Sequence, residues 1–145
     1  MSITLYHFCC KEDMPGIKSQ GITKGVIIFE ELRRIGTREK RQMFRMDGWQ
    51  WLTHDKNRNR QSWATRRTIW IDRLEYRWTV EIPDKEADQL YNRDRLVKLL
   101  PKAAPLFDGW EGSENWEVYR GPISKYELKS LDHWNGYNWE EVWRR

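Results

Sequence analysis

Apolar and polar positions alternate most regularly from Leu74 to Ile82. Leu74, Tyr76, Trp78, Val80 and Ile82 fall on one side, and Glu75, Arg77, Thr79 and Glu81 on the other. A period of two marks a half-buried strand, and Pro83, with no N–H to give a ladder, ends it. Shorter apolar and aromatic runs predict further strands over residues 3–8, 48–53, 116–120 and 128–134, and Gly121-Pro122 closes the third of these. Residues 22–29 read as extended. The segment KEDMPGIKSQG predicts a short helix, with Glu12 and Asp13 in its first turn, Pro15 near its start, and Gly21 as its stop. A second helix is predicted from about Glu86 to Leu100, with Leu90, Leu96, Val97 and Leu100 as its apolar side, closed by Pro101 and Pro105. Residues 30–45 have few apolar anchors and predict a charged helix or a flexible arm. A turn is expected over 123–128, and residues 135–145 read as a thinly anchored, tryptophan-rich tail. With no internal repeat and no linker, the expectation is one α+β domain over residues 1–145.

Composition narrows the picture. The 145 residues are one domain's worth of chain, 33% charged and 39% hydrophobic, and the mean hydropathy is −0.93. No run approaches the roughly 18 consecutive apolar residues of a membrane span, and the N-terminus lacks the basic-then-apolar pattern of a signal peptide. The expectation is a soluble, cytoplasmic domain. Cys9 and Cys10 are the only cysteines and are adjacent, which excludes a disulfide framework and a cysteine-rich zinc site. His7, His54 and His133 are scattered, without HExxH spacing, so no metal is expected. There is no GxSxG, P-loop or GxGxxG. His7 and Cys9 share a strand face, but nothing in the sequence orients them as a base–nucleophile pair.

Charge is unevenly placed. Residues 33–73 hold 12 Lys/Arg against 4 Asp/Glu, whereas the whole chain carries a net charge of only +4. A basic middle between acidic ends points to an anionic partner: a nucleotide, a nucleic acid or an acidic protein surface. Arg58, Arg60, Arg66 and Arg67, interleaved with Trp63, have the phosphate-plus-stacking composition of single-strand binders; a solvated charged loop accounts for the same residues. Of the ten tryptophans, Trp49, Trp51, Trp70, Trp78 and Trp116 are explained by strand alternation as core. Trp134, Trp139 and Trp143 are left either to dock back on the domain or to form an interface.

Three blocks occur in a telling order: Leu5-Tyr6-His7-Phe8 with Met14-Pro15-Gly16-Ile17 and Gly21-Ile22; Trp49 to Thr53; and Trp116 to Ile123. Together they resemble the ADP-ribosyltransferase-like superfamily, in particular its small bacterial and phage members. The resemblance spans most of the chain and implies a split, mixed or antiparallel two-sheet core with two or three short helices. It further implies an NAD-dependent ADP-ribosyltransferase, a glycosyltransferase-class activity that modifies a protein or nucleic-acid acceptor. His7 would fix the dinucleotide, Arg66 or Arg67 its pyrophosphate, and Tyr6, Trp51 and Thr53 would shape the nicotinamide slot. Glu117, with Glu114 second, would be the acid that steadies an oxocarbenium-like centre. A satisfied core histidine at His7, a strand's solvent face at Glu117 and a strand-end turn at Thr53 explain the same residues. Two other functions stay open. One is a non-catalytic binding or inhibitor protein that uses the basic region and exposed tryptophans against a nucleic acid or a partner protein. The other is an RNA 2′-phosphotransferase.

Overall fold

A computed structural model describes residues 1–61, 72–108 and 110–145. Its strands are β1 (Ser2–Cys9), β2 (Val26–Ile35), β3 (Arg38–Asp47), β4 (Trp49–Thr53), β5 (Tyr76–Pro83), β6 (Leu90–Tyr91), β7 (Trp116–Arg120), β8 (Leu128–Trp134) and β9 (Trp139–Arg144). The helices are α1 (Met14–Gln20) and α2 (Arg93–Leu99), with short 3-10 segments between elements. Seven strands form one sheet in the order β6-β7-β4-β1-β5-β8-β9, and β2 and β3 form a separate ribbon. Every strand pairing is antiparallel. The protein is therefore an α+β domain, as its mixed periodicity predicts.

Register decides which side chains share a face. His7 lies opposite Trp78 and Leu5 opposite Val80, while Leu131 lies opposite Trp78 from the other side. This face carries the first core cluster, in which Leu5, Trp78, Val80, Ile82 and Leu128 are wholly buried. Met14 and Ile17 of α1 pack onto it. Gly21 stops α1 at φ 86°, and a side chain there would run into the Ile123 carbonyl. Its glycine lets Ile22 and Ile123 exchange backbone hydrogen bonds at 3.0 and 2.9 Å. The opposite face carries Trp49, Trp116 and Val118, covered by Leu96 of α2, Ala103, Phe107 and Ile27 at the base of the ribbon.

Four expectations need correction. Residues 30–45 form neither a helix nor a loose arm but most of the β2–β3 ribbon, in which Ile35 pairs with Arg38 across Gly36-Thr37. Gly36, at φ 67°, supplies the left-handed residue that a two-residue hairpin turn needs, a signal that the surrounding charge obscured. The helix expected over 86–100 is broken. Asp84–Gln89 is a 3-10 segment, Leu90 pairs with Tyr119 as part of β6, and α2 starts anew where the Asn92 side chain accepts from Arg95 N. Pro101 and Pro105 do not end the helical region either, because Pro101–Leu106 continues as a 3-10 segment. Residues 135–145 are not a loose tail: β9 pairs with β8 along its length, and Trp143 meets Trp78 edge-on at 5.7 Å. The remaining differences lie at element ends. Leu74 precedes β5, Ile22 makes an isolated bridge, and Glu12 and Asp13 sit in the turn before α1, with Asp13 as its N-cap.

Candidate functional site

A cation-rich concavity lies where β4 ends and its loop turns across the sheet. It is a cleft of about 530 Å³ lined by Tyr6 of β1, residues 54–60, Arg77 of β5, and Trp134 and Trp139 of the β8–β9 hairpin. Tyr6 lies opposite Thr53, and Arg77 lies opposite Asp132, so alternation places all four on the same side of the sheet.

Local hydrogen bonds shape the loop. Thr53 is buried and its Oγ1 accepts from Asp55 N at 3.1 Å, while Asp55 Oδ1 accepts from Asn57 N and Asn57 Oδ1 from Asn59 N. These Asx- and Thr-type turns coil the chain into the 3-10 segment Arg58–Arg60. The buried Gln61 amide donates to the carbonyls of Asp55 and Asn57, closing the coil from beneath.

Four cations line this cleft, Lys56, Arg58, Arg60 and Arg77, against one carboxylate, Asp55. They are held to different degrees. Arg77 is well buried; it donates twice to Asp132 and once to the Lys56 carbonyl, and its guanidinium lies 4.3 Å from the centre of the Trp139 ring. Arg58 binds Asp72 at 3.0 Å and lies over Trp134 at 5.2 Å, and Trp134 in turn meets Trp139 edge-on. Arginine and tryptophan thus alternate along the wall, each cation sitting over an aromatic ring. Arg60 is more exposed and pairs with Asp55 at 3.1 Å, and Lys56 projects into solvent.

Several residues singled out from sequence converge here. Tyr6, Arg58 and Arg60 line the cleft; Glu117 does not, because its register with Leu52 puts it on the sheet face opposite Tyr6, and it touches the cleft's edge only through His54, whose Nε2 lies 2.5 Å from Glu117 Oε2. Others lie elsewhere. Trp51 is in the second core cluster, its indole donating to the Val26 carbonyl at 2.9 Å and its ring edge-on to Trp116. Glu114 is exposed in the 3-10 segment Ser113–Asn115. Trp63, Arg66, Arg67 and Trp70 lie outside the described residues.

His7 is on the sheet face opposite Tyr6. Its Nδ1 is 2.8 Å from the Trp51 carbonyl, which can only accept, so the neutral ring carries its proton on Nδ1 and leaves Nε2 as a lone pair. Burial holds its pKa below the usual histidine value, against the smaller opposing effects of that hydrogen bond and of Asp13. The bond spans the point where the β1–β4 ladder ends after a single pair, Tyr6 with Thr53. Nearby, burial pushes the Cys9 thiol up to about 12, so it stays protonated and is a poor nucleophile. Cys10 is also raised, chiefly by burial, and its thiol donates to Asp13. Among the described residues, no three His, Cys, Asp or Glu side chains converge as metal ligands.

Sequence reading missed Lys56, His54, Arg77, Trp134 and Trp139 as members of one site. Arg77 was visible only as the polar side of a strand. Its convergence with the two tryptophans depends on the β5–β8–β9 register, for which the sequence carries no local signal. No protein-family model matches the chain, and neither does any curated protein or solved structure.

Proposed function

We propose that this protein binds single-stranded nucleic acid, with one nucleotide unit seated in the cleft. The observation that carries the reading is the interleaving of cations with aromatic rings along one wall, Arg58 over Trp134 and Arg77 over Trp139. Phosphate needs accessible cations, and Lys56 and Arg60 supply them: Lys56 is exposed, and the Arg60 guanidinium is largely open to solvent although it pairs with the mostly covered Asp55. A base needs a flat partner, and Tyr6, Trp139 and the arginine planes offer one. The volume suits a mononucleotide with its sugar.

The test is fluorescence anisotropy with an oligothymidylate of about 15 nucleotides across a salt series. Binding is expected to weaken steeply with salt and to fall at least roughly tenfold in K56A/R60A. No binding at about 50 mM salt overturns the reading.

One observation favours a second reading, an NAD-dependent ADP-ribosyltransferase in an antiparallel variant of that fold. Glu117, the residue that the resemblance assigns as acid, is held by His54 at the edge of this cleft. In that reading the cleft takes the dinucleotide and the Glu117 carboxylate steadies the ribosyl cation. Nicotinamide release from NAD that disappears in Glu117→Gln supports it; absence of release with both protein and oligonucleotide present as acceptors counts against it.

A further inference from the structure

We propose that the β2–β3 ribbon is an arm that contacts double-stranded nucleic acid through its distal end. The two ten-residue strands pair along their whole length, Val26 with Asp47 at the base and Ile35 with Arg38 at the tip. Among the described side chains, the anchors lie toward the base, where Lys102 also sits over the Phe44 ring at 5.6 Å. Ile27 is wholly buried in the second core cluster, Met46 packs against the same cluster, and Gly48 N donates to the Gly25 carbonyl. Toward the tip, Arg34 and residues 36–40 are exposed. A two-stranded ribbon is marginally stable by itself in water, and its exposed tip residues are placed to meet something else.

Charge says what that is. From Arg33 to Arg41 the sequence holds five cations, Arg33, Arg34, Arg38, Lys40 and Arg41, against the single carboxylate of Glu39. The base reverses the balance, with Glu30, Glu31 and Asp47 against Arg45. In the ladder Arg33 lies opposite Lys40, and Ile35 lies opposite Arg38. By strand alternation these four positions share one face, and Arg34 lies on the other, so the exposed Arg34, Arg38 and Lys40 set cations around both faces of the tip. Like charges directly opposite each other destabilise an isolated ribbon, and a polyanion relieves that repulsion. The acidic base keeps the contact at the tip and away from the body. A two-stranded ribbon fits the duplex major groove, roughly 12 Å wide. Arginine and lysine on both strands then reach phosphates on the two groove walls.

This arm does not depend on the cleft, and the test separates the two. Anisotropy is measured with a mixed-sequence duplex of about 20 base pairs and with oligothymidylate, from about 50 to about 200 mM salt. The proteins are wild type, R34Q/R38Q/K40Q and K56A/R60A. The tip variant is expected to lose duplex affinity at least roughly tenfold, with the slope of log affinity against log salt reduced by about three, while keeping oligothymidylate binding. The cleft variant is expected to do the reverse. The three tip residues are exposed, so unfolding temperature and circular dichroism should match wild type.

A second measurement needs no charge change. A dye on Thr37→Cys, in a Cys10→Ser background, should change its emission when duplex is added. Duplex affinity of the tip variant within about twofold of wild type overturns the proposal, as does a dye that does not respond. Failure of the wild type to bind oligothymidylate while it binds duplex overturns the cleft reading and leaves the arm standing.

Discussion

His54 Nε2 stands 2.5 Å from Glu117 Oε2 and so ties the first residue of the cleft loop to the strand beside β4. The register explains the contact. Leu52 lies opposite Glu117, and His54, two residues on, falls on the same side of the sheet. The imidazole is half-exposed, whereas the carboxylate is mostly covered.

Glu117→Gln keeps an acceptor for His54 in nearly the same place. Its unfolding temperature is expected to stay within a few degrees of wild type, and its affinity for oligothymidylate within about twofold. Glu117→Leu removes the acceptor, but water can reach the exposed ring, so the stability cost should be no more than about 1 kcal/mol. Thermal melts and anisotropy on the two variants check this. A large loss of single-strand affinity in Glu117→Gln would mean that the carboxylate shapes the cleft rather than merely bordering it.

Gln50 is wholly buried between the ribbon base and β7. Its Oε1 accepts from Gly25 N at 2.7 Å, and its Nε2 donates to the Gly121 carbonyl at 3.1 Å. Gln50→Leu matches its size but strands a buried donor and a buried acceptor, each costing about 1–3 kcal/mol. The expected loss is therefore about 2–4 kcal/mol, read by urea unfolding. Gly25→Ala should be comparably damaging, because a Cβ there would run into the Trp49 carbonyl and Gln50 Oε1. Glutamine on a tryptophan-flanked strand gave no sign in the sequence that it pins three segments.

Much of the sheet was legible in the chain, and the reason is local. β7 and β8 keep the bounds that their aromatic and β-branched runs predict, and β4 differs only in starting at Trp49 rather than Gly48, because each is short, flanked by Gly or turn residues, and buried on at least one side. The ribbon was hidden because charge on both faces erases the alternation that names a strand. β9 was hidden for a related reason: its Glu140, Glu141 and Val142 are exposed, and only its pairing with β8 makes it a strand. The site was legible in composition but not in place. Arg58 and Arg60 stood out as cations, yet the two tryptophans facing the cleft come from positions more than seventy residues away, and a single sequence gives no distance between them.

Trp143 separates a docked strand from a loose tail. It packs edge-on against Trp78, with the Lys18 and Arg145 cations within 6 Å of its ring. Trp143→Ala should cost about 2–3 kcal/mol, below the range for a fully buried ring because Trp143 is only half-buried. It should also expose β9 amides to hydrogen exchange while β1 and β5 stay protected. Unchanged stability in urea would place the ring outside the core.

The sharpest pH dependence should come from the other end of the sheet, where Glu127, in the 3-10 segment Lys125–Glu127, meets Glu86. Burial, a hydrogen bond with Glu86 and repulsion from its charge push the Glu127 carboxyl up to about 8, with Lys129 and Lys85 opposing more weakly. Tyr119 donates to Glu86 at 3.0 Å, and burial raises the Tyr119 phenol, so this donor keeps its proton. The sign follows from proton binding. Between the ordinary carboxyl pKa of about 4.3 and about 8, the folded chain holds a proton that the unfolded chain has released, so stability falls as pH rises through that interval. His7 acts in a different window: burial depresses its pKa, so its contribution is present above about 6.5 and is lost as pH falls below that. The interval from pH 7 to about 8 therefore lies above the His7 window and mostly below that of the two raised thiols. Across it the wild type is expected to lose stability and Glu127→Gln to lose much less, so that the variant overtakes the wild type at the alkaline end. Thermal melts at both pH values decide it, and parallel curves for the two proteins would show that the carboxyls do not share a proton.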